Sequence, residues 1–393
     1  MTEPRVPAIE SAISSPVSAA RGSGLEFRLR KLHHSPGQDF VLDAAFQAAP
    51  GFTILFGPSG SGKTTLLDCV AGLTRPDAGR IAVADRVLFD SSQDIDVPVR
   101  KRRVGYVFQN LALFPHLTVR QNVEYGLHAS TTAIRAERSR AILSAFHISE
   151  LVKRRPSEIS GGERQRTALA RTLVTDPEVL LLDEPLTALD ASTKSGIIED
   201  LRNWNRSHRV PILYVTHSRE EVFALGERVL VLEDGRMTAQ GTPHEVMEAP
   251  TRETVAQLAG FENVYEIEVD ALSPQRGTMT CRLKADPPTS AGATVLLETP
   301  LVRAQVGMHL IVGIRAGDIL LATSQPTGLS ARNVLPGPIT SLHQRDTIVI
   351  ARVNCGVEME VHLTLAARDS LQLTPGRQVW LVIKTHSCHL MQK

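Results

Sequence analysis

The stretch FTILFGPSGSGKTTLLDCVAGL, Phe52–Leu73, decides the fold. FTILF is short, continuously apolar and ends at a glycine, the pattern of a strand buried on both faces. From Lys63 onward, Leu66, Leu67, Val70 and Leu73 fall on one stripe, the spacing of an amphipathic helix. Between them GPSGSGKT, Gly57–Thr64, fits G-x-x-x-x-G-K-[ST] in the strand-then-helix setting that this motif requires. Its glycines let backbone N–H groups turn toward phosphate oxygens at a helix N-terminus. Lys63 brings positive charge to the outer phosphates, and the Thr64 hydroxyl suits Mg²⁺. The candidate cradle is therefore Gly57, Pro58, Ser59, Gly60, Ser61, Gly62, Lys63, Thr64 and Thr65. The plain alternative, a glycine-rich turn, is disfavoured by the flanking strand and helix.

Working outward, EVLLLDE (Glu178–Glu184), ILYVTH (Ile212–His217) and VLVLE (Val229–Glu233) are further short apolar runs. They predict parallel strands covered by helices on both faces, an α/β arrangement from about Leu25 to Phe261. LLLDEP sets Asp183 and Glu184 at a strand end. Asp183 is placed to orient Mg²⁺ and Glu184 to polarise an attacking water; a merely solvated strand end is the bland reading. RKRR, Arg100–Arg103, reads as a solvated turn rather than a nucleic-acid patch, since no aromatics interleave with it.

Composition narrows the class. The 393 residues allow one to three domains, with 42% apolar and 22% charged residues and a formal net charge of +1. Such a balance gives no electrostatic drive toward nucleic acid. Cys69, Cys281, Cys355 and Cys388 are widely spaced and read as free thiols. No apolar run approaches the ~18–20 residues needed to cross a bilayer. Residues 1–24, rich in Ser, Ala and Pro, read as a disordered leader without the apolar core of a signal peptide.

ISGGERQR, Ile159–Arg166, then brings a resemblance into view. With the phosphate loop and the acid pair, it resembles the ATP-binding subunits of ABC transporters. The resemblance implies a P-loop ATPase of ABC type with a helical subdomain over residues 25–262. It implies ATP and Mg²⁺ as ligands, with Thr64, Gln109 and Asp183 around the metal. Gln109, in GYVFQN, matches the glutamine that senses the γ-phosphate and the membrane partner; Asp190, in LTALD, matches the D-loop; His217 matches the switch histidine. Glu184, His217 and Gln109 are thus the catalytic candidates. Ser160, Gly161, Gly162 and Glu163 match the signature, which in the family closes over ATP held by a second subunit. Ser160 and Glu163 also have the spacing of a helix capping box, and both roles are compatible. One phosphate loop and one signature per chain imply a homodimer. Many relatives stack an aromatic on adenine just before the loop; here LHHSPGQDF offers His33, His34 and Phe40 without singling one out.

Beyond about Asn263 the texture changes. VYEIEVDAL and VEMEVHL alternate apolar and polar residues, predicting a small antiparallel, barrel-like β domain. GMHLIVGIRAGDILL from Gly307 loosely repeats as GRQVWLVIKTHSCHL from Gly376, which suggests two related units, 263–327 and 328–393. GLSARNVLPGPITSL and DSLQLTPGRQVWLVIKTHSC resemble the two ends of a molybdate-binding (Mop) domain, so the whole chain resembles the molybdate-import ATPases. Ser330, Arg332, Asn333, Lys384 and Thr385, beside Ala331, become oxyanion candidates, because hydroxyls, amides and cations suit a tetrahedral dianion. The alternative is a domain that only dimerises, with Pro336 and Pro338 as strand breakers. THSCH, Thr385–His389, reads as ordinary strand rather than a metal cluster. The resemblance implies peripheral attachment to the cytoplasmic face of the inner membrane. Its implied partners are membrane permease subunits and, indirectly, a periplasmic molybdate-binding protein, with no nucleic acid. Tungstate or sulfate as cargo stays open, as does a storage or sensing role. An ATPase acting on nucleic acid would carry long coiled-coil insertions, and no such heptad run is present.

Overall fold

The computed structural model describes residues 24–35, 38–127, 131–187, 189–247, 255–256, 259–283, 295–345 and 347–391. The leader expected over 1–24 lies outside them except for Gly24, and the His34 side chain lies outside them too.

Residues up to Gly241 build one eleven-stranded sheet. Its first strands are β1 (Leu25–Ser35), β2 (Gln38–Ala48) and β3 (Gly51–Phe56), and helix α1 (Lys63–Ala71) follows. Next come β4 (Ala78–Val83), β5 (Arg86–Asp90), β6 (Ile95–Asp96) and β7 (Val104–Val107). A helical block of α2 (Val119–Glu124), α3 (Thr132–Ala145) and α4 (Gly161–Leu173) leads into β8 (Val179–Asp183). The remainder is α5 (Ala191–His208), β9 (Pro211–Val215), α6 (Arg219–Leu225), β10 (Arg228–Glu233), β11 (Arg236–Gly241) and α7 (Pro243–Met247).

The expected parallel core is present as β10-β3-β9-β8-β7, all adjacent pairs parallel. Alternate residues feed two cores. Ile54, Leu180, Leu182, Ile212 and Tyr214 meet α2–α6 on one face. Leu55, Leu181, Leu213 and Leu230 meet α1 on the other. That second face departs from expectation. Among the described residues α1 is the one helix on it, and the rest of the cover comes from the antiparallel wing β1, β2, β4 and β5, whose Phe27, Leu29, Leu42, Ile81 and Phe89 share the α1 core.

Arg102 corrects the reading of RKRR as a solvated turn. Its side chain is 1% exposed. It donates to the carbonyls of Cys69 at 3.0 Å and Val70 at 2.9 Å, the last turn of α1, and to Val97 at 2.8 Å, with Asp96 Oδ1 at 2.9 Å. A cation there satisfies carbonyls that a helix end leaves open and offsets its negative dipole end. Gly72 ends the helix at φ 83, and a Cβ on it would lie 2.5 Å from Arg102 Nε.

The C-terminal residues form two five-stranded antiparallel sheets around one core. The first half supplies β12 (Asn263–Ser273), β13 (Thr278–Leu283), β14 (Leu296–Pro300) and β15 (His309–Ile314), then β16 (Leu320–Ala322). The second supplies β17 (Asn333–Arg345), β18 (Ile348–Asn354), β19 (Glu358–Thr364), helix α8 (Leu365–Ser370) and β20 (Gln378–Ile383), then β21 (His389–Met391). The last strand of each half crosses over: β16 pairs with β20, and β21 pairs with β15. Asn263 clamps the Glu360 peptide of the other half at 2.8 and 2.7 Å, and Asn333 clamps the Glu298 peptide reciprocally at 3.0 and 2.7 Å. The halves are therefore interlocked, and residues 328–393 do not make a complete sheet without β16. Pro336 and Pro338 sit within β17 rather than breaking it, where only β20 pairs with the strand and a missing N–H costs no second ladder.

Arg102→Met takes the guanidinium donors away from the carbonyls of Cys69, Val70 and Val97 and leaves Cys69 only the Gly72 N–H at 3.2 Å. It is expected to cost about 3 kcal/mol, read as a lower denaturant midpoint; a midpoint within error of the parent would remove Arg102 as the clamp of α1.

Candidate nucleotide site

The phosphate loop leaves the carboxyl end of β3, and its neighbours in the sheet end at the same edge. Gln109 follows β7, Asp183 and Glu184 end β8, and His217 follows β9. Side chains far apart in sequence therefore converge at the rim of one parallel sheet. They line a cavity of about 650 Å³ with Gly57, Ser59, Gly60, Gly62, Lys63, Thr64 and Thr65.

The loop's shape is dictated by glycine. Gly57 has φ 154, and a Cβ there would sit 2.1 Å from the Leu232 carbonyl oxygen. Gly62, at φ 100, immediately precedes α1, so the first free N–H groups of that helix face the cavity. Lys63 Nζ donates to the carbonyls of Gly57 at 2.9 Å and Pro58 at 2.7 Å. Burial lowers its pKa, while Glu184 and Asp183 act against that shift. Ser61 Oγ is buried and has no hydrogen-bond partner among the described residues.

Thr64 Oγ1 donates to Asp183 Oδ2 at 2.9 Å, joining the start of α1 to the end of β8. Burial raises the Asp183 pKa, with the Thr64 bond pulling the other way. Glu184 is the point of convergence. Gln109 Nε2 donates to its Oε2 at 3.2 Å, Thr187 Oγ1 does so at 3.3 Å, and His217 Nδ1 lies 3.5 Å from its Oε1. Its backbone holds φ 45, a left-handed conformation costing about 1–2 kcal/mol in a non-glycine residue. Gln109 thus reaches Glu184, while Thr64 and Asp183 form the pair suited to Mg²⁺.

Two aromatic rings complete the wall. Phe40 and His33 face each other across the β1–β2 hairpin, with ring centroids 6.5 Å apart, and both line the cavity. Sequence reasoning left them unresolved because their pairing depends on hairpin register, which alternation alone does not set.

The signature and D-loop residues lie elsewhere. Ser160 and Glu163 form the capping box of α4, with Ser160 N–H to Glu163 Oε2 at 2.7 Å and Glu163 N–H to Ser160 Oγ at 3.3 Å. Asp190 caps α5 through the Thr193 N–H at 2.9 Å. The two helix starts touch: a Cβ on Gly162 would meet Thr193 Cγ2 at 2.4 Å, and one on Gly161 would meet Leu189. None of them lines the cavity in a single chain.

Of the oxyanion candidates, Ser330 and Lys384 share a groove of about 280 Å³ with Ser387, Asp318 and Leu320. Asn333 is buried, its amide bonded to Glu298. Arg332 is exposed, and Thr385 opens the short 3₁₀ turn before β21 without lining the groove.

Burial holds the folded Asp183 pKa above its unfolded value of about 3.8. The native state then binds more protons, so the stability from this group is lost as pH rises through that window. Asp183→Asn is expected to raise the melting temperature of the nucleotide-free chain at pH 7, with the gain shrinking in acid. An equal or lower melting temperature at pH 7 would contradict this.

Comparison with known proteins gives the family. Residues 43–187 match the family described as ABC transporter, and residues 329–390 match the TOBE domain. The molybdenum import ATP-binding protein ModC of Rhizobium meliloti is 40% identical, over 88% of this chain and 95% of that protein. The ModC of Paramagnetospirillum magneticum is 38% identical, over 88% and 93% respectively, and that of Vibrio cholerae 35%, over 86% and 90%. With similarity running almost end to end through both the parallel sheet and the interlocked β domain, this chain belongs to the family of molybdenum import ATP-binding proteins.

Proposed function

We propose that the chain hydrolyses ATP to power molybdate import through a membrane permease. The observation that carries the chemistry is the convergence of Gln109, His217 and Thr187 on Glu184 at the mouth of the phosphate loop. The cargo rests on the relatives, which carry the name of molybdenum importers along nearly their whole length.

The residues fit a nucleoside triphosphate with Mg²⁺. Lys63, held back by two loop carbonyls, turns to the outer phosphates, and the N–H groups of Gly60–Thr65 take their oxygens. Thr64, Asp183 and Gln109 would hold Mg²⁺, which supplies neutralisation of charge on the β- and γ-oxygens. Phe40 offers its ring to adenine, with His33 beside it. Glu184 takes the proton of the attacking water, Gln109 orients that carboxylate, and His217 contacts the γ-phosphate.

Ser160, Gly161, Gly162 and Asp190 stand together outside the cavity, which suits a homodimer in which each chain closes the other's site. No helix among the described residues is long and apolar enough to cross a membrane. By its likeness to the molybdenum import ATP-binding proteins the chain works peripherally, at the cytoplasmic face, on permease subunits fed by a periplasmic molybdate-binding protein. In the β domain, Ser330 and Lys384 are the remaining oxyanion pair, since Asn333 is committed to holding the halves together.

Glu184→Gln is expected to keep ATP binding and lower turnover at least about a hundredfold, whereas Lys63→Ala weakens nucleotide binding itself. Normal turnover in Glu184→Gln would remove it as the water-activating group. Because the halves interlock, calorimetry for the β domain needs the full chain, titrated with molybdate, tungstate and sulfate. Heat lost in Lys384→Ala supports the oxyanion role; no heat with any of the three in the parent leaves the domain a dimerising one.

A further inference from the structure

We propose that Arg171 is a positioning residue that binds the Gln109 loop to the signature helix, so that nucleotide sensed in one chain's cavity moves the Ser160 end of that chain's own α4. The inference rests on the two-chain ATP reading above.

Arg171 lies in the last turn of α4. Its guanidinium takes two successive carbonyls of the loop after β7, NH2 to Leu111 O at 2.8 Å and NH1 to Ala112 O at 2.5 Å. Both residues are left-handed, φ 60 and φ 43, a conformation that non-glycine residues hold only when neighbours fix it. The guanidinium carbon also sits 5.6 Å from the centre of the Phe114 ring. No ion pair to Arg171 is present among the described residues, and burial lowers its pKa. This half-buried cation is therefore directed at the loop rather than at a carboxylate.

The rest of the loop is fastened to the same helical block. Asn122 of α2 accepts the Phe114 N–H at 2.9 Å and donates to the carbonyls of Phe114, Leu117 and Thr118, each at 3.1 Å. From Leu111 to Thr118 the loop thus moves with α2 and α4. Two residues before Leu111, Gln109 reaches Glu184 at the sheet. At the far end of α4, roughly 15 Å away at the rise of an α-helix, stand Ser160 and Gly162 against the start of α5. A shift of Gln109 toward a γ-phosphate is carried by Arg171 into α4 as a rigid rod. The planar fork matters: Lys offers a point charge that serves one carbonyl well, not two.

The test uses full-length chains carrying Glu184→Gln, with and without Arg171→Lys or Arg171→Ala. Nucleotide affinity per chain is read with a fluorescent ATP analogue, and ATP-driven association by light scattering. The expected result is unchanged nucleotide affinity in Arg171→Lys with association weakened about tenfold, and more in Arg171→Ala. Equal association in the parent and in Arg171→Lys overturns the inference. So does a parallel loss of nucleotide affinity, which marks a general packing role. If the Glu184→Gln parent itself fails to associate with ATP, the two-chain reading falls and this inference with it. Where Arg171→Ala does not fold, Arg171→Lys alone decides.

Discussion

Helix α1 is held by charge at both ends, and the ATPase part of the molecule is arranged around that fact. Its N-terminus, opened by Gly62, points free N–H groups and Lys63 at the cavity. Its C-terminal carbonyls are taken by buried Arg102. A short helix covering half a sheet face alone has little to keep it in register. Clamping one end to the turn before β7, and the other to β8 through Thr64 and Asp183, fixes the phosphate loop relative to the acid pair Asp183 and Glu184. The antiparallel wing then supplies the apolar cover that α1 is too short to provide.

That arrangement explains why the site can be assembled from distant residues. Parallel neighbours end at one edge, so loops following β3, β9, β8 and β7 bring Lys63, His217, Glu184 and Gln109 to one rim without any long excursion. The cost falls on Glu184, whose left-handed backbone is tolerated because its N–H bonds the Val215 carbonyl at 3.0 Å and Thr187 donates to its carbonyl oxygen. The left-handed turn at Glu184 swings its carboxylate to the rim of the cavity, where Gln109 and His217 reach it.

Much of this was legible in the sequence where the signal is local. Continuous apolar runs marked the parallel strands, and the phosphate loop, acid pair and signature carry their meaning within a few residues. What stayed hidden depends on contacts across the chain. Arg102 looks like one of four equivalent cations until the end of α1 is placed beside it. Phe40 and His33 become a pair only through hairpin register. Asn333 looked like an oxyanion ligand because its residue type suits one, but its partner is a peptide 35 positions away. The repeat in the β domain was visible as similarity between two runs, whereas the exchange of their final strands leaves no local trace.

That exchange gives the two halves one framework with two uses. Asn263 pairs with Ile314 where Asn333 pairs with Ile383, so Arg315 and Lys384 follow equivalent positions. In the first half, Arg315 donates to the Met247 carbonyl at 2.9 Å and stacks 4.3 Å over Phe261, whose ring packs on His389 of β21. The equivalent place is thus filled by the end of the ATPase part, and Ile311 and Met391 join its core. In the second half, Lys384 instead lines an open groove beside Leu320, which is 61% exposed. The two places are linked by a single short turn: Ala316 N–H bonds Glu262 at 2.8 Å at the filled end, and Asp318 lines the groove at the other. Two equivalent positions of one framework thus serve differently, one as a joint and the other as a surface, and the turn Ala316–Asp318 places that surface two residues of backbone from the joint.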